Sequence, residues 1–347
     1  MEPTYKRSIK SIARDARDMP AYSLNRTISL KESIRRTPRL RRRNERWAVI
    51  LAGGDGTRLR SMTRAIAGDD RPKQFCPIVG GRTLLDQTRD RVALSVPSDK
   101  TLIVVTEKHK RFYQSLNAMA PKELLVEQPN NKGTAPAIVY ALMRVAQNSP
   151  KAIVGLFPSD HYFADDDAFM AHVDSAYEAA QARPDTVTLL GITPEAPEVE
   201  YGWIEPHISI LGSMPGSITR VRRFWEKPTA SVARDLMQRG CLWNSFVMVG
   251  RVDSLLNMTR QALPELFEAF ARIVPMFGGA IERGAMCDLY SRIPETNFSH
   301  QVLAKRPGDL AVMRVGEVGW SDLGEPARVL STLSRMGVRT ELAMSAS

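Results

Sequence analysis

Residues 47–59 read WAVILAGGDGTRL, an apolar run from Trp47 to Ala52 that breaks into Gly53, Gly54, Asp55, Gly56, Thr57, Arg58 and Leu59. A short apolar run ended by glycine is the pattern of a buried strand. The glycines that follow let backbone N–H groups turn inward and approach a phosphate closely, and Arg58 adds a fixed cation. No Gly-Lys-Ser/Thr follows, so this is not a Walker A loop, and the spacing is not that of a dinucleotide fingerprint. Taken alone, the segment is equally well explained as a glycine turn between a strand and a helix.

Downstream, short apolar runs alternate with amphipathic stretches, the pattern of βαβ units. Strands are expected at 47–52, 102–106, 124–127, 152–157 and 187–192, with helices over 84–94, 168–182, 231–239 and 326–335. A further helix is expected to begin at Thr134, whose hydroxyl reads as an N-cap with Pro136 in the first turn. Between 193 and 250 the chain is richer in Pro, Gly and β-formers, which predicts a more antiparallel subregion. The expected fold is α/β: a doubly wound, mostly parallel, Rossmann-like sheet with a β-rich subregion.

Of the formal charge of +10, +9 falls on residues 1–46, where 14 Lys and Arg face 5 Asp and Glu. The body is therefore nearly neutral, and a nucleic-acid surface spread over the fold is not expected. The segment 1–46 reads as a basic, disordered arm, being too poor in apolar residues for a core of its own. Residues 336–347 read as a tail. No apolar run approaches the roughly 18–20 residues of a membrane span, and no apolar leader stands at the N-terminus. A cytoplasmic setting is expected. Cys76, Cys241 and Cys287 are odd in number and lack metal-site spacing, so they read as reduced thiols.

A second cation follows the glycine loop in Arg71-Pro72-Lys73-Gln74-Phe75, where the proline holds the chain extended and Lys73 can reach a phosphoryl group. LAGGDGTRL followed by RPKQF resembles the opening signature of the sugar-phosphate nucleotidyltransferases, and PKQF resembles their mannose-1-phosphate guanylyltransferase branch. The resemblance implies catalytic roles for Arg58 and Lys73 and nucleotide binding by Gly53, Gly54, Gly56 and Thr57. It continues in Glu127-Gln128-Pro129 and in Lys132-Gly133-Thr134-Ala135-Pro136, similar to the branch's base- and ribose-contacting segment, which implies nucleotide contacts at Gln128, Gly133 and Thr134. That segment more usually carries Arg-Asn where Lys132 and Gly133 stand.

The apolar strand Ile153–Phe157 ends in Pro158-Ser159-Asp160-His161, and an acid just past a parallel strand lies where α/β sheets bind ligands. The resemblance makes Asp160 a ligand of Mg²⁺, completed by Asp322 in Gly319-Trp320-Ser321-Asp322-Leu323-Gly324. His161 reads either as a partner of that site or as a surface or N-cap histidine. The acidic run Asp165–Asp167 fits the first turn of the next helix and is rejected as a metal motif. On the sugar side, Tyr201-Gly202-Trp203-Ile204-Glu205, Trp225-Glu226-Lys227-Pro228 and Trp243-Asn244-Ser245 match the family's order. Gly202, Glu226, Lys227 and Asn244 are the implied sugar-phosphate contacts, since a carboxylate suits vicinal hydroxyls and a lysine suits phosphate. Trp243 and Trp320 read equally as core residues.

Two departures stand out: Phe246 where the family commonly has Gly, and Ser299 at an acidic position. The body is thus expected at 47–335, with 47–192 binding nucleotide and 193–335 binding sugar. No β-helix or isomerase domain of the kind many relatives append is expected after about residue 335. The expected reaction joins a sugar 1-phosphate to a nucleoside triphosphate with release of pyrophosphate, with mannose 1-phosphate and GTP as the first choice. Glucose 1-phosphate with UTP or TTP, or a regulatory sugar-nucleotide-binding subunit, are the alternatives. A homo-oligomer is compatible with the sequence.

Overall fold

The computed structural model describes residues 45–114 and 121–338, so the arm up to residue 44 and the tail from 339 lie outside the described residues. Arg46, counted with the arm above, opens the first strand and pairs with Asp174. Nine strands are described: β1 (Arg46–Leu51), β2 (Thr101–Thr106), β3 (Leu125–Gln128), β4 (Ile153–Pro158), β5 (Val187–Ile192), β6 (Gly202–Pro206), β7 (Ile218–Glu226), β8 (Leu242–Arg251) and β9 (Leu310–Arg314). Their order in the sheet is β3-β2-β1-β4-β8-β5-β9-β7-β6.

Strand β1 shows why the layers form. Its alternating side chains divide between two cores: Trp47 and Val49 pack on one face, Ala48 and Ile50 on the other. The main helices are α1 (Arg60–Ala67), α2 (Leu84–Ala93), α3 (Thr134–Asn148), α4 (Asp166–Ala182), α5 (Ala230–Gln238), α6 (Val252–Ala262), α7 (Pro264–Ala271), α8 (Glu282–Arg292) and α9 (Pro326–Arg335). Helix α3 covers the Val49 face with Ile138, Leu142 and Val145, while α2 and α4 cover the Ile50 face with Val92, Phe169 and Val173. Each such side chain contributes about 1.5–3 kcal/mol on full burial, so both faces are fixed by many small terms. Asp165 caps α4 by accepting from the Ala168 N–H at 2.8 Å, and Asp166 and Asp167 occupy its first turn.

The mostly parallel sheet holds only for the first half. Strands β3, β2, β1 and β4 run parallel, and so do β5 and β9, but β8 runs antiparallel between β4 and β5. Strand β6 pairs antiparallel with both β7 and β8, and β7 pairs antiparallel with β9. Strands β5 to β9 therefore close on themselves, a circuit that removes the open edge an extended doubly wound sheet would leave. The sequence showed a β-rich stretch there; closure depends on long-range pairing that no local pattern encodes.

Among the described residues no helix is long and apolar enough to cross a membrane. The three cysteines are free thiols, with Cys76 and Cys241 buried and Cys287 exposed.

Candidate active site

The carboxyl ends of the parallel strands end in register, Leu51 beside Pro158 and Thr106 beside Gln128, and a cavity of about 450 Å³ opens beyond them. Its floor is the glycine loop. Gln74, almost fully buried, donates through Nε2 to the carbonyls of Ala52 (3.0 Å) and Gly54 (2.8 Å), and the Thr106 hydroxyl donates to that of Gly53 (2.9 Å). The carbonyls are thus occupied, whereas the N–H groups of Gly53, Gly54, Asp55 and Gly56 meet no acceptor among the described residues. An amide row of this kind is an anion site. A Cβ at Gly53 would lie 2.6 Å from Gln128 Nε2 and 3.1 Å from Thr106 Oγ1, so a side chain there would have to displace the buried Gln128 amide. Gln74→Glu keeps the shape but removes both donors. It is expected to raise the KM for the nucleotide about tenfold, since each lost bond leaves a buried carbonyl unpaired; steady-state kinetics at varied nucleotide would show it.

Opposite the loop, Asn131 Oδ1 accepts from the Gly133 N–H (3.0 Å) and its Nδ2 donates to Asp55 Oδ2 (3.0 Å). Gly133, not Thr134, is the N-cap residue of α3, at φ 83. The expected Thr134 cap fails because its hydroxyl is used elsewhere, accepting from the Phe298 N–H at 2.8 Å. A Cβ at Gly133 would lie 2.5 Å from the Thr296 carbonyl, so glycine is required there by both backbone conformation and space. Gln128 is buried, and its Oε1 accepts from the Tyr290 hydroxyl at 3.0 Å.

The acidic wall comes from two distant segments joined by an antiparallel bridge, in which Tyr162 and Ser321 exchange N–H to carbonyl bonds of 2.9 and 3.0 Å. Lys73, itself nearly buried, donates through Nζ to the carbonyls of Asp322 (2.7 Å) and Leu323 (3.2 Å) and lies 3.2 Å from Asp160 Oδ2. Asp322 Oδ1 accepts from the Tyr201 hydroxyl (3.0 Å), the Gly324 N–H (3.0 Å) and Arg328 (2.7 Å). Burial alone would raise the Asp322 carboxyl, but His161, Arg328 and Lys73 outweigh it and hold it below the ordinary carboxylate range. His161 is neither a surface nor an N-cap residue. Its Nδ1 accepts from Trp320 Nε1 at 3.3 Å, its Nε2 lies 3.9 Å from Asp160, and burial lowers its pKa.

On the third side, Gly202, Glu226, Asn244, Phe246, Glu295, Asn297 and Ser299 line the cavity. A Cβ at Gly202 would lie 3.1 Å from Glu226 Oε2, and burial pushes the Glu226 carboxyl upward. Asn244 Oδ1 accepts from the Phe246 N–H at 3.1 Å. The non-glycine residues with left-handed backbone among those described are Lys227, Phe246 and Leu323, each in or directly beside this cavity's lining. Such conformations cost of order 1–3 kcal/mol and persist where the surroundings over-determine them, typically at functional sites.

Residues 47–335 match the family described as Nucleotidyl transferase. The chain belongs to that family. It is 31% identical over 297 residues, 83% of this chain and 60% of the relative, to the xanthan biosynthesis protein XanB of Xanthomonas campestris pv. campestris. It is 27% identical over 286 residues to the mannose-1-phosphate guanylyltransferase of Escherichia coli, covering 80% of this chain and 58% of that protein. The chain therefore spans about 60% of the length of these relatives. A crystal structure of mannose-1-phosphate geranyltransferase from Thermus thermophilus superposes with a TM-score of 0.69 at 27% identity, over 81% of this chain and 76% of that one.

Within this nucleotidyl transferase, the sequence-expected residues fall into two groups. Gly53, Gly54, Gln128, Gly133, Thr134, Asp160, Gly202, Glu226, Asn244 and Asp322 line the cavity. Gly56, Thr57, Arg58, Lys73 and Lys227 do not. Lys73 stands directly behind Asp160, while Arg58 and Lys227 are half exposed and both reach the cavity-lining Glu200, at 3.5 and 3.0 Å. Sequence reading passed over Gln74, Asn131, Glu200, Tyr201 as a donor to Asp322, and Arg328. Gln74 lay inside a quoted motif, but nothing local tells that its amide reaches back 20 residues; Arg328 sits on an ordinary amphipathic helix.

Proposed function

We propose that this chain transfers the guanylyl group of GTP to mannose 1-phosphate, giving GDP-mannose and pyrophosphate. The observation that carries the reading is one cavity lined by Gly53 and Gly54, whose N–H groups meet no acceptor among the described residues, and by Asp160 and Asp322 with Lys73 behind them, beside a polar third wall of Glu226 and Asn244. Guanine and mannose rest on the PKQF segment and on the similarity to the Escherichia coli mannose-1-phosphate guanylyltransferase.

In this reading the loop N–H groups of Gly53 to Gly56 bind the departing pyrophosphate, and the peptide groups around Gln128 and Gly133 hold base and ribose. Glu226 and Asn244 orient the sugar through its hydroxyls. A phosphate oxygen of the sugar 1-phosphate attacks the α-phosphorus in line; the bond from that phosphorus to the bridging oxygen breaks, and pyrophosphate leaves with its electron pair. No protein nucleophile takes part. Lys73 and Arg58 offset the charge that grows on the phosphate oxygens.

Asp160 and Asp322 would hold Mg²⁺. Among the described residues no group of three or more His, Cys, Asp and Glu is arranged to hold a metal. Two carboxylates nonetheless fit this cation, which usually takes one or two together with water and substrate phosphates. Asp322 Oδ2 has no donor among the described residues, and Asp160 Oδ1 has only His161 at 3.9 Å, so each carboxylate keeps an oxygen free. When bound, the ion supplies charge neutralisation at the phosphates.

The test is pyrophosphate release from GTP, UTP and TTP, each with mannose 1-phosphate and glucose 1-phosphate. GTP with mannose 1-phosphate is expected to exceed every other pair by at least about tenfold in kcat/KM. Faster release from UTP or TTP with glucose 1-phosphate would reassign the substrates, and release from no pair would leave a sugar-nucleotide-binding subunit.

A further inference from the structure

Glu200 is the one carboxylate among the described residues that joins the two halves of the cleft at their cations. It lies between β5 and β6, lines the cavity beside Tyr201 and Gly202, and pairs through Oε2 with Lys227 (3.0 Å) and Arg58 (3.5 Å). Arg58 belongs to the glycine loop and Lys227 follows the end of β7, so two residues from opposite sides of the site converge on one acidic group. Neither cation has another ion-pair partner among the described residues. The backbone sets this geometry: Lys227 is held at φ 47 while its N–H donates to the Tyr201 carbonyl at 3.3 Å, which ties the lysine to the residue next to Glu200. A carboxylate between two cations presents an anion where a phosphate group would.

We infer that Glu200 is a built-in counter-anion, occupying Arg58 and Lys227 until substrate phosphates displace it. The inference rests on the pyrophosphorylase reading in treating those cations as phosphate ligands. Its consequences run opposite to those of a substrate-binding carboxylate. With Glu200 in place, the cations are partly neutralised in the empty site, and an entering phosphate must compete for them. The same carboxylate then returns to the cations as pyrophosphate leaves, so it weakens phosphate binding and speeds release. Both Arg58 and Lys227 are about half exposed, so the ion pairs themselves are weak and easily exchanged, as a displaceable group requires.

The experiment is calorimetric binding of inorganic pyrophosphate to the full chain, for the wild type, Glu200→Gln, Lys227→Met and the double variant, at low and high salt. Glu200→Gln is expected to bind pyrophosphate about five- to tenfold more tightly at low salt, with the gain shrinking at high salt as screening grows. In the Lys227→Met background the gain should fall by at least about half, because part of it passes through that lysine. In turnover with saturating nucleotide, kcat should drop together with KM, the mark of slowed product release. Equal or weaker binding of pyrophosphate by Glu200→Gln would overturn the inference while leaving the reaction intact. Failure of the wild type and Glu200→Gln alike to bind pyrophosphate would overturn it together with the proposed reaction.

Discussion

Lys73→Met is expected to lower kcat about 10²–10³-fold, the usual effect of removing one preorganised charge that faces a developing anion. The size follows from where the ammonium is held. It is fixed by the Asp322 and Leu323 carbonyls at 2.7 and 3.2 Å and by Asp160 at 3.2 Å, so it acts from behind Asp160 as a fixed charge rather than as a hydrogen-bond donor to phosphate. Methionine keeps the apolar stem and loses every donor. Asp160 would then face the cavity without its cation, and nucleotide affinity should fall as well through charge repulsion. Lys73→Arg should not rescue, because a forked guanidinium cannot fit a nearly enclosed site bounded by two carbonyls. Steady-state pyrophosphate release, with a thermal melt to confirm folding, checks this; a loss below about threefold would remove Lys73 from the chemistry.

Asp322→Asn is expected to cost both turnover and stability. Two neighbouring carboxylates in one cavity suggest mutual repulsion, and so a variant that melts no lower than the wild type. The structure points the other way, because each acid has its own cation: Lys73 for Asp160, Arg328 for Asp322. Asparagine takes the charge from the shortest ion pair of Arg328 and leaves only its longer ones to Glu325 (3.4 Å) and Glu198 (3.6 Å), which should destabilise the fold by about 1 kcal/mol. The pH dependence fixes the sign. The Asp322 carboxyl is held below its ordinary value in the folded protein, so its contribution is fully present above the unfolded value and is lost as pH falls through the folded one. The gap in melting temperature between wild type and Asp322→Asn should therefore be widest near neutral pH and close in acid. Turnover should fall about 10²-fold or more, as expected when a hard cation loses an anionic ligand. Asp160→Asn should match that loss in turnover and also lower stability, since it takes from the nearly buried Lys73 its one carboxylate among the described residues, and a constant gap in melting temperature across pH for Asp322→Asn would contradict the assignment of Arg328 to Asp322.

How much of this was legible before the structure depends on range. Strands β1, β2, β4 and β5 and helices α2, α4, α5 and α9 follow from apolar runs and capping residues within a few positions, and were expected to within about two residues of their ends. That the glycine loop, Asp160 and the Gly319–Gly324 segment meet at one cavity, with Lys73 beside Asp160, was readable because each is a contiguous motif. The closed circuit of β5 to β9 was not, since it depends on β6 pairing with β8 some 40 residues later. Nor were the supports of the site. Gln74, Arg328 and Glu200 act by reaching side chains or peptides far along the chain, and alone each looks like any polar residue facing solvent. The Thr134 cap failed for the same reason: a hydroxyl with a helix behind it reads as a cap, but Phe298, 164 residues away, had claimed it. The departure at Phe246 acquired a physical meaning only with its backbone angle, φ 59, in the cavity wall.

The most direct measurement follows the phosphorus atoms. GTP labelled at the α-phosphorus, and separately at the γ-phosphorus, is incubated with mannose 1-phosphate, Mg²⁺ and the full chain, and the products are separated. In-line attack on the α-phosphorus sends the α-label into GDP-mannose and the γ-label into pyrophosphate, with both products absent when mannose 1-phosphate is omitted. Label appearing in orthophosphate, in protein, or in products formed without the sugar phosphate would contradict direct transfer between the two substrates.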